Sequence, residues 1–179
     1  MKYLILAISL IFSAQIFSQD CNIPTNELGK FEISEVVEVA YSKEEITNAA
    51  LLAVADFAND PNNITKFRDV DAGIFISEIA AKVRTKIGLG NYFYFNLKME
   101  VKEGKYRLTA NYLDCLFFVT TDTSCKCSND LADQSCQPNG CLVSQKRWNM
   151  LRCRATEELY IILQEYTRTI DANLAKSDW

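Results

Sequence analysis

Two thiols one residue apart, in Cys125-Lys126-Cys127, form the most compact reactive-looking motif in the chain. Such a pair can close a strained disulfide able to exchange with others. A redox thiol needs a depressed pKa, usually supplied by a helix N-terminus. This pair lies instead in a polar stretch, with Lys126 as its only nearby cation. Cys136 and Cys141 follow, so four thiolates could enclose one metal ion in a tetrahedral site. The CxC and Cx4C spacings fit zinc knuckles poorly, and an oxidising compartment would consume the thiols first. Neither a metal nor any other cofactor is expected.

The remaining cysteines favour a structural role for all of them. Cys115, Cys125, Cys127, Cys136, Cys141 and Cys153 fall within one short stretch, and Cys21 stands far upstream. In an exported chain these are disulfide candidates whose pairing the sequence leaves open. With seven cysteines, the odd one must remain free, bridge to another chain, or replace one of the six.

Histidine is absent altogether. That removes the usual general base, the Ser-His and Cys-His nucleophile pairs, and the commonest zinc and copper ligand. Catalysis by paired carboxylates would fall to Glu32, Glu35, Glu38, Glu100 and Glu103. Glu32, Glu38 and Glu100 sit on the polar side of alternating strands, where solvated faces explain them. No catalytic residue is expected. The formal charge of -4, with no block of Lys and Arg, leaves no counterion-release drive for nucleic acid.

Tyr92, Tyr94, Tyr106 and Tyr112 alternate along two strands. Their ordinary role is cross-strand packing. If a helix covers only one sheet face, tyrosines on the other would make an amphipathic platform for a protein, glycan or lipid partner.

The elements that must position these residues begin after a leader. Lys2 supplies a positive start, Tyr3 to Phe17 are almost wholly apolar, and Ser13, Ala14, Gln15 and Ser18 close the segment. This is the pattern of a secretory signal peptide, too short for the roughly 20 apolar residues of a spanning helix. Cleavage after Ser18 is expected, giving leader 1–18, an N-terminal segment 19–29 and a single domain 30–179. The mature chain is expected to be periplasmic or secreted, with no transmembrane segment. Cys21 invites comparison with lipid-anchored proteins, but Ser18, Gln19 and Asp20 are not the apolar-then-small triplet of a lipobox.

From Lys30 the residues alternate. Phe31, Ile33, Val37 and Val39 share one face and Glu32, Ser34 and Glu38 the other, predicting a half-buried strand. Glu35 interrupts the apolar face, which places it near a sheet edge or rim. Ser42-Lys43-Glu44-Glu45 has the spacing of a capping box, so a helix starts at Lys43, with Ile46, Ala49, Ala50, Ala53 and Phe57 along its apolar stripe. Asn59-Asp60-Pro61-Asn62-Asn63 ends it.

A strand is predicted from about Gly73 to Arg84, and another from Tyr92 to Lys102, where Phe93, Phe95, Leu97, Met99 and Val101 alternate without a break. Glu103-Gly104 makes a tight hairpin turn. Lys105 to about Val119 returns as a long strand carrying Tyr106, Leu108, Ala110 and Tyr112. Residues 120–143 lose all apolar periodicity and form a cysteine-rich loop. From Ser144 to about Ala175, Trp148, Leu151, Ala155, Leu159, Ile162, Tyr166, Ile170 and Leu174 step by three or four, the spacing of a long amphipathic helix.

The expected fold is therefore α+β: an antiparallel sheet in β-α-β-β-β order, a disulfide-rich loop, and a long C-terminal helix packed on the sheet. Residues 30–119 resemble a family of exported Bacteroidetes domains of unknown function with a TBP-like fold. The resemblance lies in "KFEISEVVEV", the following "SKEEITNAALLAV", and the paired strands "YFYFNLKMEVKEGKYRLTANY", with "EVKEGKYRL" the most specific piece. It implies a topology and carries no active site, and fold does not imply function. The chain reads as a non-catalytic exported binding or interaction module. The competing expectation is a thiol-disulfide exchange protein using Cys125 and Cys127. An unpaired cysteine or an uncovered strand edge could each make a homodimer.

Overall fold

A computed structural model describes residues 21–57, 65–84, 90–118, 124–127, 131–132 and 144–176. Residues 1–20, where a leader is expected, and most of the cysteine-rich stretch, Cys136 and Cys141 included, lie outside the described residues.

The elements run β1 (Glu32–Glu38), α1 (Lys43–Phe57), β2 (Thr65–Asp69), β3 (Ile74–Arg84), β4 (Gly90–Lys102), β5 (Lys105–Phe118), β6 (Ser124–Cys127) and α2 (Gln145–Lys176). Five strands make an antiparallel sheet in the order β1-β5-β4-β3-β2, and β6 pairs with the far half of β5 beyond the end of β1. β1 is an edge strand, and Glu35, the acid that breaks its apolar face, is exposed there.

Local chemistry sets each boundary. At the start of α1 the Ser42 N–H donates to the Glu45 carboxylate at 2.8 Å, and the Glu45 N–H donates to Ser42 Oγ at 3.3 Å. This is the reciprocal capping box its spacing predicts. The Ser42 hydroxyl also donates to Glu45 at 2.6 Å and is the main reason the Glu45 carboxyl titrates below its usual range. Ser144 starts α2, its hydroxyl accepting from the Arg147 N–H at 3.3 Å.

Two elements differ from expectation. β2 occupies Thr65–Asp69, a stretch with a single large apolar residue, Phe67, and hence no alternation to reveal it. It is held by backbone pairing to β3 along the second sheet edge. The stretch predicted as pure loop contains β6, four residues whose pairing with β5 extends the sheet.

Both helices lie on one face. The odd-numbered residues of β4, Phe93 to Val101, share a core with Ile46, Ala49, Ala50 and Ala53 of α1 and with Trp148, Leu151, Ala155, Leu159, Leu163, Tyr166, Ile170 and Leu174 of α2. Trp148 stacks on Phe93 with ring centroids 6.3 Å apart. Small residues on α1 let it approach closely, and the Asn173 amide ties the helices together by donating to the Ala49 carbonyl at 3.3 Å. Each large side chain buried here contributes about 1.5–3 kcal/mol relative to exposure.

Candidate functional site

Strand alternation sends the even-numbered residues of β4 to the face away from both helices. That face carries Tyr92, Tyr94, Asn96, Lys98, Glu100 and Lys102 in one row. Register then fixes their neighbours. Lys82 of β3 stands opposite Tyr92, and its Nζ lies 5.3 Å from the Tyr92 ring centroid. Asp114 of β5 stands opposite Tyr94, Asn111 opposite Asn96, Thr109 opposite Lys98, Arg107 opposite Glu100 and Lys105 opposite Lys102. β1 completes the face with Ser34 opposite Thr109, Val36 opposite Arg107 and Glu38 opposite Lys105. The Ser34 and Thr109 hydroxyls are hydrogen bonded at 3.2 Å.

The electrostatics differ along the row. Around Tyr94, burial and then the Asp114 and Glu78 carboxylates push the phenol pKa up. Glu78 itself faces Lys66 at 3.4 Å, and Lys98 pairs with Glu100 at 3.0 Å. At the hairpin end, Val36, Glu100, Lys102, Lys105, Tyr106 and Arg107 line a recess of about 230 Å³.

The four tyrosines divide between the two sides of the sheet. Tyr92 and Tyr94 lie half-buried on the face that no described helix covers, here called the open face. Tyr106 is only 1% exposed in the core, and Tyr112 packs edge-on against Phe95 at 5.8 Å between centroids. Tyr106 and Tyr112 therefore place no ring on the open face. Their parity with Leu108 and Ala110 carries that information. Beyond Tyr112 parity alone misleads, because the pairing steps from Phe95 opposite Tyr112 to Tyr94 opposite Asp114, leaving Leu113 as an extra residue. The bulge returns Cys115 to the helix side, where it is buried.

The cysteines are brought together in part. Cys21 and Cys153 form a disulfide with Cα atoms 5.6 Å apart, so the upstream cysteine takes the place of one of the clustered six. A bridged Cys21 sulfur is not available for acylation. Cys125 and Cys127 lie in β6, with Cys127 at the register position opposite Cys115 and Cys125 opposite Phe117. Among the described residues no three His, Cys, Asp or Glu side chains are grouped to hold a metal ion, and no helix is long and apolar enough to cross a membrane.

The candidate carboxylates are dispersed. Glu32 accepts from the Asn26 amide at 3.3 Å, and Glu103 accepts from the Lys43 backbone N–H at 3.0 Å. Glu35 lies on the helix side at the sheet edge, whereas Glu38 and Glu100 lie on the open face.

No family model matches the sequence, and no curated protein matches it. The fold is shared with solved structures. A TBP-like protein from Parabacteroides distasonis superposes with a TM-score of 0.64 at 14% identity, covering 84% of this chain and 96% of that one. A DUF4468 family protein from Bacteroides ovatus superposes with a TM-score of 0.54 at 10% identity, covering 85% of this chain and 90% of that one. The fold is TBP-like α+β, as the resemblance in the sequence implies.

Proposed function

We propose that the chain is a non-catalytic exported module that binds its partner on the open face of the sheet. One observation carries this reading. Both helices cover the same side, and the opposite side presents Tyr92 and Tyr94 in a row with amide, hydroxyl and charged groups. Aromatic rings that offer an apolar face and a polar tip are suited to recognition at a wet surface. Export is supported by the apolar leader and by the Cys21–Cys153 disulfide, a bond that persists in oxidising compartments.

The thiol-exchange alternative gains little support. The backbone of Cys125 and Cys127 is a β-strand, which supplies no helix dipole to stabilise a thiolate.

The test is association of the mature, oxidised protein with protein, polysaccharide and lipid fractions of a Bacteroidetes cell envelope. The expected result is retention by one fraction, lost in a Tyr92→Ala, Tyr94→Ala variant whose melting temperature is close to wild type. Retention that survives this variant with every fraction overturns the reading.

A further inference from the structure

The open face is chemically graded along β4, and the gradient names a ligand class. At one end Tyr92 and Tyr94 are two residues apart on the same side, a separation of about 7 Å along a strand. In the middle the Asn96 and Asn111 amides stand opposite one another, beside the Thr109 and Ser34 hydroxyls. At the far end lies the recess lined by Lys102, Lys105 and Arg107 with a single carboxylate, Glu100.

The charge at that far end is unbalanced. Lys98 is matched by Glu100 at 3.0 Å. Among the described residues Lys102, Lys105 and Arg107 are in no ion pair, and the other carboxylate on this part of the face is Glu38. Glu103, at the turn, accepts from the start of α1 and lines with Glu38 a second recess beside Lys105. A chain of net charge -4 thus concentrates an excess of cations in one recess of its open face.

Resting on the binding-face reading above, we infer that this face takes an anionic polysaccharide. Its sugar rings would lie against Tyr92 and Tyr94, its hydroxyls would meet the Asn96 and Asn111 amides, and its carboxylates or sulfates would meet Lys102, Lys105 and Arg107. Charge complementarity selects an anionic ligand over a neutral one. The polar middle of the row selects a hydroxyl-rich chain over a membrane, which needs contiguous apolar surface to insert. An extended acidic peptide would gain more from an open strand edge, where its backbone can pair, than from the middle of a sheet face.

The experiment titrates the mature, disulfide-intact protein with polygalacturonate oligomers, using amylose as the uncharged control and poly-L-glutamate and phosphatidylglycerol vesicles as the competing anions. Polygalacturonate binding that weakens with added salt, with amylose unbound, is expected. The Lys102→Gln, Lys105→Gln, Arg107→Gln variant should raise Kd by about tenfold or more, the equivalent of about 1.4 kcal/mol. The Tyr92→Ala, Tyr94→Ala variant should weaken binding without changing its salt dependence.

No binding of polygalacturonate, binding equal to that of amylose, or binding unchanged in the charge variant overturns the inference. If poly-L-glutamate or the vesicles bind instead, in a way the tyrosine variant abolishes, the ligand class is wrong and the binding face stands. If the tyrosine variant alters binding of none of the probes or envelope fractions, both fail.

Discussion

The Glu103 carboxylate accepts a hydrogen bond from the backbone N–H of Lys43 at 3.0 Å, joining residues sixty apart in sequence. Two further bonds run beside it: the Val39 N–H donates to the Gly104 carbonyl at 2.9 Å, and the Gly104 N–H donates to the Tyr41 carbonyl at 3.2 Å. The turn between β4 and β5 is therefore also the seat on which α1 begins. This gives "EVKEGKYRL" a physical meaning. Glycine allows the positive φ of 69° at position 104, and glutamate places a negative charge at the positive end of the helix.

Glu103→Ala removes both the acceptor and the charge and should lower stability by about 0.5–2 kcal/mol. Glu103→Gln keeps an acceptor and should lose less. Urea unfolding with the disulfide intact measures both. Equal losses would mean that the charge, not the hydrogen bond, does the stabilising, and no loss from either would remove the turn's role in seating α1.

Gly73 is a more demanding position than Gly29, although both have φ near 70°. A Cβ at Gly73 would lie 2.8 Å from the Val101 carbonyl oxygen and 2.9 Å from Lys43 Cε, whereas one at Gly29 meets nothing within 4 Å. Backbone strain alone costs about 1 kcal/mol at either site. Gly73→Ala adds a clash with backbone that also carries the Val101 N–H to Gly73 carbonyl bond at 2.7 Å. It should therefore unfold at clearly lower denaturant than Gly29→Ala. Equal midpoints would contradict the close approach of the β2–β3 turn to β4.

Much of this fold was legible because its signals are local. The unbroken alternation of Phe93 to Val101, the Ser42–Glu45 spacing and the three-and-four stepping from Trp148 to Leu174 each depend on neighbours within a turn or a pleat. What escaped depends on distant partners. β2 exists because β3 offers it an edge, the Leu113 bulge is visible only in the pairing of β5 with β4, and Cys153 could not be matched to Cys21 across 132 residues from spacing alone. The candidate site was legible by half. Tyr92 and Tyr94 could be placed together, but the basic recess draws on β1, β4 and β5 at once and no single strand carries its pattern.

Two buried phenols set an alkaline limit on stability. Burial, and secondarily the Asp171 carboxylate, raises the Tyr106 pKa, and burial raises that of Tyr166. In the unfolded chain both ionise near pH 10, while in the folded protein they stay protonated to higher pH. The unfolded state thus releases protons first, so the contribution of these groups is complete below about pH 10 and is lost as pH rises beyond it. Thermal unfolding from pH 8 to 11.5 should show this decline, and Tyr166→Phe should make it shallower. An unchanged slope in that variant would mean that the Tyr166 phenol ionises as readily folded as unfolded.

The Cys21–Cys153 disulfide closes a loop across 132 positions of sequence, taking in the whole sheet and α1. In the chain-entropy account a loop of this length is worth about 5 kcal/mol, an upper figure because residual structure in the unfolded state reduces it. Cys153→Ser should lower the melting temperature strongly and leave Cys21 open to alkylation without reduction. Mass analysis of the exported wild type should show Cys21 blocked to alkylation and free of lipid. A diacylglycerol mass on Cys21 would overturn the pairing, since one sulfur cannot hold both bonds.

At Cys125 and Cys127 sequence spacing and structure point in different directions. A CxC pair suggests exchange chemistry, because a small ring between the sulfurs would be strained and reducible. Turnover also needs a thiolate at neutral pH, and the usual source is a helix N-terminus whose amide dipoles stabilise the charge. Ser124–Cys127 is instead an antiparallel strand on β5, and a strand has only a small net dipole. The oxidised protein and its reduced form should both fail to accelerate insulin reduction or the refolding of scrambled ribonuclease above the rate of the Cys125→Ser, Cys127→Ser variant. Turnover that the double variant abolishes would show that β6 releases its pairing to expose a reactive dithiol, and would make this strand, not the open sheet face, the working part of the protein.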